Sequence, residues 1–166
     1  MQDMTEYLEP IRYNEGKVDW TYLPWSYGMM KDVERQMFSL PNSWSDNLED
    51  LIAYLDSKDV GVLCCSLLLY DNQDVLADND AQINLPYNAL EQVCRVFSYG
   101  CIKYQRDNYK LAPGLPLESY IQSMWRHLVQ YLRGELVDNE SQLPHLSHLA
   151  CNAFMYLWTK KEYHNG

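Results

Sequence analysis

Residues 117–158 read LESYIQSMWRHLVQYLRGELVDNESQLPHLSHLACNAFMYLW, and two helical stripes separated by a break are legible in that string. Leu117, Tyr120, Ile121, Met124, Leu128, Tyr131 and Leu132 recur at three- and four-residue intervals, the period at which one face of an α-helix meets a core. Gly134 follows at the position where a closing helix wants a left-handed residue. A second helix is expected to start after Asn139 or Ser141, with Pro144 in its first turn, and to carry Leu146, Leu149, Ala153, Tyr156 and Leu157 inward. Upstream, Leu90, Val93, Cys94, Phe97, Cys101 and Tyr104 make a third stripe. Breaks are expected at Gly100, Pro113-Gly114 and Gly134. Three antiparallel helices with short connections read as an all-α bundle over residues 84–160.

Ahead of this core, residues 31–83 form a middle block. Leu48, Leu51, Ile52 and Leu55 predict a helix near 46–57 with Ser45 or Asp46 as its cap. The apolar run from Val60 to Leu69 fits a helix or a strand by period alone and is read as a helix. Asp71 to Gln82 lacks the alternating acids and central glycine of a calcium loop and is read as a solvated acidic turn. Ile11 to Pro24, rich in turn formers and aromatics, reads as an extended arm with a turn at Asn14-Glu15-Gly16, inside an arm motif bounded at 11–30. One domain spanning 1–166 is expected: an antiparallel helical bundle, an N-terminal extended arm and an inserted helical middle block.

The chain has 166 residues, of which 47% are hydrophobic, enough for one core without a partner. Acidic residues number 23 against 13 basic, a net charge of −10. That balance argues against general nucleic-acid binding, which is carried by surplus Lys and Arg. It is compatible with an acidic pocket that holds a metal ion. No apolar run reaches 18 residues and the N-terminus lacks a secretory pattern, so a cytoplasmic protein without a membrane segment is expected. The five cysteines are odd in number and form no C-x2-C pair, which favours reduced thiols in a core. Fourteen tyrosines suit aromatic walls or a contact surface.

The chemistry concentrates in the opening stretch. His145, His148 and Asn152 fall at i, i+3 and i+7 along one edge of the last helix. Ser123, His127 and Gln130 repeat the arrangement on the helix before it, with Arg126 beside His127. Between them lies Gly134-Glu135-Leu136-Val137-Asp138-Asn139-Glu140, an acidic loop able to fold back over the same edge. Carboxylates of this kind suit Mg²⁺ or Mn²⁺, and imidazoles widen the choice to Mn²⁺, Fe²⁺ or Zn²⁺. The competing reading makes the histidines hydrogen-bonded border residues and the acids caps of the next helix. Two metal-hydrolase patterns are absent. Every histidine is followed by Leu or Asn, so the adjacent His-Asp pair of HD phosphohydrolases is missing. The MazG pattern is present only as E-x-x-D at Glu135 and Asp138, without its E-E-x-x-E helix.

An ordered series of motifs goes further. Leu85-Pro86-x-x-Ala89-Leu90-Glu91-x-Val93, Arg95-Val96-x-x-x-Gly100, Lys103-Tyr104, Asn108-Tyr109, Arg126-His127-Leu128, Gly134-Glu135-x-x-Asp138-x-Glu140-Ser141, Leu143-Pro144-His145-Leu146 and His148-x-x-x-Asn152 together resemble the phage-encoded dATP/dGTP diphosphohydrolase family. Arg12-Tyr13-Asn14-x-Gly16-Lys17, followed by Leu23-Pro24, resembles that family's N-terminal Gly-Lys motif. The resemblance implies an all-helical, MazG-like enzyme that converts purine deoxynucleoside triphosphates to monophosphate and pyrophosphate with a divalent ion. Three departures stand out: some 55 residues lie between the arm and the Leu-Pro helix, Tyr109 replaces a common Trp, and Gln142 replaces a common Gly. The 31–83 block is thus read as atypical of the family.

On this reading Glu135, Asp138, Glu140, His145 and His148 are the expected ligands of Mg²⁺ or Mn²⁺. Glu91, Glu135 and His127 are the expected catalytic residues. Lys17, Lys103 and Arg126 are expected on the phosphate tail, and Tyr104, Asn108 and Asn152 at the base. Partners implied are a purine dNTP, further copies of the chain in a homo-oligomer, and a host protein met through the middle block. The alternative function is a non-catalytic nucleotide-binding or host-protein-inhibiting protein on the same scaffold.

Overall fold

Twelve of the nineteen residues of the last helix, His145–Tyr163, are buried, and they lie all round its axis. That helix is the hub of the fold. The computed structural model describes residues 16–25, 28–39, 48–70 and 86–164. Among them are six α-helices: α1 (Met29–Ser39), α2 (Leu48–Asp56), α3 (Val60–Tyr70), α4 (Tyr87–Lys103), α5 (Leu117–Leu132) and α6 (His145–Tyr163). Short 3-10 turns occupy Trp20–Tyr22 and Asn108–Lys110. The described residues contain no strand, only an isolated bridge between Val137 and Pro144, and the molecule is an all-α bundle. Arg12, Tyr13, Asn14, Ser45, Asp46, Leu85 and the acidic stretch 71–82 lie outside the described residues.

Helices α5 and α6 run antiparallel. Tyr120, near the start of α5, lies 3.3 Å from Thr159 near the end of α6, while His127 meets His145 at the opposite end. The one-sided α6 read from the sequence is corrected here, because α3, α4 and α5 all pack on it. Helix α3 explains why. Its run of Leu63, Cys64, Cys65, Leu67, Leu68 and Leu69 is buried and apolar on every side, so it sits inside the core and covers the face of α6 that α5 leaves open. Burial pushes the Cys64 and Cys151 thiols up, and takes those of Cys65 and Cys94 to about 12. All five cysteines are free.

Three further details depart from the sequence reading. Gly100 does not break a helix; α4 continues through it to Lys103, since a single interior glycine costs only about 1 kcal/mol against alanine. Helix α6 begins at His145 with Pro144 as its cap residue, later than Asn139 or Ser141, because residues 138–141 are held in a separate turn. Helix α1, which the sequence reading passed over, buries Met29, Met30 and Val33 against α3.

The arm's Trp20–Tyr22 turn lies against α4. Tyr22 stacks on Phe97 at 5.6 Å, and Asp19 accepts a 2.7 Å bond from Arg106, whose guanidinium also covers the Tyr22 ring. Trp20–Tyr22 is a turn of 3-10 helix capped by Asp19, where the sequence reading expected only extended chain. No helix of the described residues is long and apolar enough to cross a membrane.

Leu149 is fully buried, and Leu149→Ala should lower the free energy of unfolding by about 2–5 kcal/mol in urea denaturation followed by circular dichroism. Leu132 belongs to the same sequence pattern but is 44% exposed, so Leu132→Ala should change stability by no more than about 0.5 kcal/mol.

Candidate functional site

Gly134 ends α5 in the left-handed region, φ +99°, where its own N–H donates to the Tyr131 carbonyl and the Glu135 N–H to that of Gln130. This pair of bonds turns the chain back toward α6. The loop is then tied across itself: Asp138 N–H donates to Leu143 O at 2.9 Å, and His145 N–H donates to Leu136 O at 3.0 Å. Asp138 Oδ1 accepts from the N–H groups of Glu140 (2.8 Å) and Ser141 (3.0 Å), an Asx turn that fixes the carboxylate beside α6. Gln142, at φ +62°, takes the left-handed position that favours glycine.

The antiparallel pairing of α5 and α6 brings three imidazoles together against this loop. His127 Nδ1 lies 2.9 Å from His145 Nδ1, and the His127 ring stacks on His148 with centroids 4.5 Å apart and planes 10° from parallel. Ser141 Oγ is 2.6 Å from His148 Nε2 and also accepts from Leu143 N–H at 3.2 Å, so the hydroxyl proton is best placed on the bond to His148. His145 and His148 are buried. Burial, reinforced by the neighbouring imidazoles, pushes His127 down to about 4, and burial lowers His148 too. Both rings are therefore neutral at pH 7. Asp138 is raised by its partial burial, but the two backbone N–H bonds and the nearby histidines prevail and hold it below the usual carboxylate range.

His127, Asp138 and His145 each offer a ligand atom, and the three atoms lie within 4.8 Å of one another. His145 Nε2 is buried with no hydrogen-bond partner among the described residues; its nearest acid is Glu135, at 3.6 Å. Glu135 thus stands behind His145, 32% exposed by side chain. Glu140 is turned the other way, onto Lys103 and Tyr99, and these two contacts lower its carboxyl. His148 is engaged with Ser141 and edge-on to Tyr99.

The other residues singled out in the sequence are more dispersed. Glu91, Arg95, Tyr99 and Lys103 follow one another along one edge of α4, but Glu91 is eight residues, about 12 Å of helix, from Tyr99, with its carboxylate 3.7 Å from Arg95. Asn152 donates its amide to the His148 carbonyl at 3.0 Å. Arg126 is exposed beside His127 on α5, Tyr104 and Asn108 are exposed after α4, and Lys17 is exposed on the arm. Sequence reasoning did not single out Tyr99, although it precedes Lys103 by four residues, and gave Ser141 a place in a motif and at a possible helix start but no role at the site.

A family model described as dATP/dGTP diphosphohydrolase, N-terminal, matches residues 74–165, more than half of the chain. The chain belongs to that family. The match includes α4, α5, α6 and the acidic loop, and excludes the arm and α1 to α3. No curated protein and no solved structure matches the chain.

The metal-free protein should lose stability as pH falls from about 6.5 toward 4, because the unfolded chain takes up a proton on His127 near 6.5 whereas the folded one resists until about 4. His148 acts in the same direction. Melting temperatures measured at pH 7, 5.5 and 4.5 should fall more steeply for the wild type than for His127→Gln.

Proposed function

We propose that the chain hydrolyses a purine deoxynucleoside triphosphate to the monophosphate and pyrophosphate where the acidic loop meets the imidazoles of α5 and α6. The observation that carries this reading is the convergence of His127, Asp138 and His145, with Lys103 delivered to the same loop from α4. The matched family's description supplies the class of reaction and substrate.

A divalent ion fits the residues present, since the neutral His127 ring, the Asp138 carboxylate held low and His145 offer ligand atoms within 4.8 Å of one another. His127, Asp138 and His145 would hold it. When bound, such an ion polarises phosphoryl oxygens and lowers the pKa of its water. The chain's own residues do the rest. Lys103 is already seated on an oxyanion, the Glu140 carboxylate, and a phosphate oxygen exchanges for it with the same geometry. Tyr99, bonded to that same carboxylate, passes to the phosphate with it. Ser141 and His148 form a proton path: the buried, neutral His148 accepts at Nε2 while Ser141 relays from the reacting side. Arg126 and Lys17, both exposed, are available to the outer part of the tail. Glu91, two helical turns along α4 from Tyr99 and 3.7 Å from Arg95, is given no role in this reading.

The test is incubation of the purified chain with each dNTP and Mn²⁺ or Mg²⁺, with both products identified. Pyrophosphate and monophosphate are expected in equal amounts from dATP, dGTP or both, and absence of turnover with every dNTP defeats the reading. Asp138→Asn should lower kcat by about a hundredfold or more with the far-UV spectrum unchanged, as it removes charge but keeps the acceptor for the Asx turn. Lys103→Ala should act mainly on KM, raising it about tenfold, the worth of one charge-assisted bond.

A further inference from the structure

We propose that His127, His145 and Asp138 form a binding site for a six-coordinate first-row transition ion of the Mn²⁺ or Fe²⁺ kind, and that Mg²⁺ is not its ion. This rests on the hydrolase reading only for its purpose; the site stands on its own geometry.

The first argument is ligand chemistry. Two imidazoles and one carboxylate on one side of an ion, with the other positions open, is a donor set that first-row transition ions accept, whereas Mg²⁺ seeks oxygen and keeps its waters. The acids that would have made an oxygen-rich site are elsewhere. Glu140 is on Lys103 and Glu135 stands behind His145.

The second argument is distance. Nδ1 of His127 and Nδ1 of His145 are 2.9 Å apart. Two nitrogens each about 2.1 Å from one ion span about 3.0 Å on adjacent corners of an octahedron and about 3.4 Å on a tetrahedron. In the ion-free protein that separation is an N–H···N hydrogen bond, and it lets one ion reach both nitrogens once the shared proton leaves; the count of six rests on the donor set, which leaves three positions open. Asp138 completes the set through Oδ2: its Oδ1 is taken by the two backbone N–H groups, and no described residue donates to Oδ2.

The third argument is the surroundings. A ligating histidine commonly presents its other ring N–H to a carboxylate, which orients the ring. Glu135, 3.6 Å from the otherwise unpartnered Nε2 of His145, stands on that side, a small movement beyond hydrogen-bond distance. Glu135 is therefore assigned as a positioning residue, and His127, read from the sequence as catalytic, as a ligand. Ser141 occupies Nε2 of His148, which places His148 beside the ligand set.

The test uses the full chain without nucleotide. Mn²⁺ binding is followed by the loss of the free-ion electron paramagnetic resonance signal, and Co²⁺ binding by its visible absorption, weak for six ligands and intense for four. One Mn²⁺ per chain is expected, retained in a hundredfold excess of Mg²⁺, with a weak Co²⁺ band. His127→Gln and Asp138→Asn should each weaken binding by at least about tenfold, the latter keeping the Asx turn, with folding checked by far-UV circular dichroism. Glu140→Gln and His148→Gln should stay within about threefold of wild type. The proposal is overturned if the folded wild type binds no ion, if Mg²⁺ displaces Mn²⁺ at equal concentration, if the Co²⁺ band is that of four ligands, or if His148→Gln or Glu140→Gln costs as much as His127→Gln. Ion binding without turnover of any dNTP defeats the hydrolase reading and leaves this site standing. Turnover with Mg²⁺ in a chain whose imidazoles bind no ion does the reverse.

Discussion

Placing two histidines in the first turn of a helix enclosed on nearly every side is the constraint from which the rest of the structure follows. A buried imidazole resists protonation, and here a third ring stacks on one of them and meets the other nitrogen to nitrogen. Two Nδ1 atoms at 2.9 Å accommodate one proton between them, and parallel rings at 4.5 Å do not tolerate two positive charges. The neutral state of His127 and His148 is thus a requirement of packing before it is a property useful to chemistry. The loop answers that requirement. It brings Asp138 as a charged group and Ser141 as a donor, and fixes both through backbone bonds.

The same constraint explains how the acids divide. Glu135, Asp138 and Glu140 look equivalent in the sequence, three carboxylates within six residues. In the folded loop only Asp138 is short enough to cap the two N–H groups following it, and this holds its second oxygen near the imidazoles. Glu140 leaves the turn and reaches α4, where Lys103 and Tyr99 take it. Side-chain length and the direction of an Asx turn, which no spacing rule encodes, separate a ligand-like acid from a cation partner.

That distinction marks what was legible in the sequence. Helix α5 has the bounds its apolar stripe implies, and Gly134 takes the left-handed conformation expected of it, because both are local consequences of period and backbone sterics. The meeting of His127 with His145 was implicit in two stripes joined by a short loop. The start of α6 was not legible: Asn139 and Ser141 carry cap chemistry, yet the turn that Asp138 nucleates uses them first. Gly100 was over-read as a break, since the packing of α4 outweighs the modest cost of a glycine. The Tyr99 contact required knowing how α4 approaches α6, and the Ser141 contact how the Asp138 turn folds back on α6, neither of which has a local signature.

The position of α3 sets a limit on how far the matched stretch can be treated as a unit. Residues 74–165 contain the histidines, the loop and Lys103. They do not contain Leu63, Cys64, Leu67 or Leu68, which are buried in the same core as Leu149, Ala150 and Cys151. Without α3, the apolar side of α6 that it covers would face water, and a helix forced to rotate to cover that side would carry His145 and His148 away from His127. The segment preceding the match is therefore part of what aims the imidazoles. Whatever else residues 31–83 contribute, α3 belongs to the physical definition of the site.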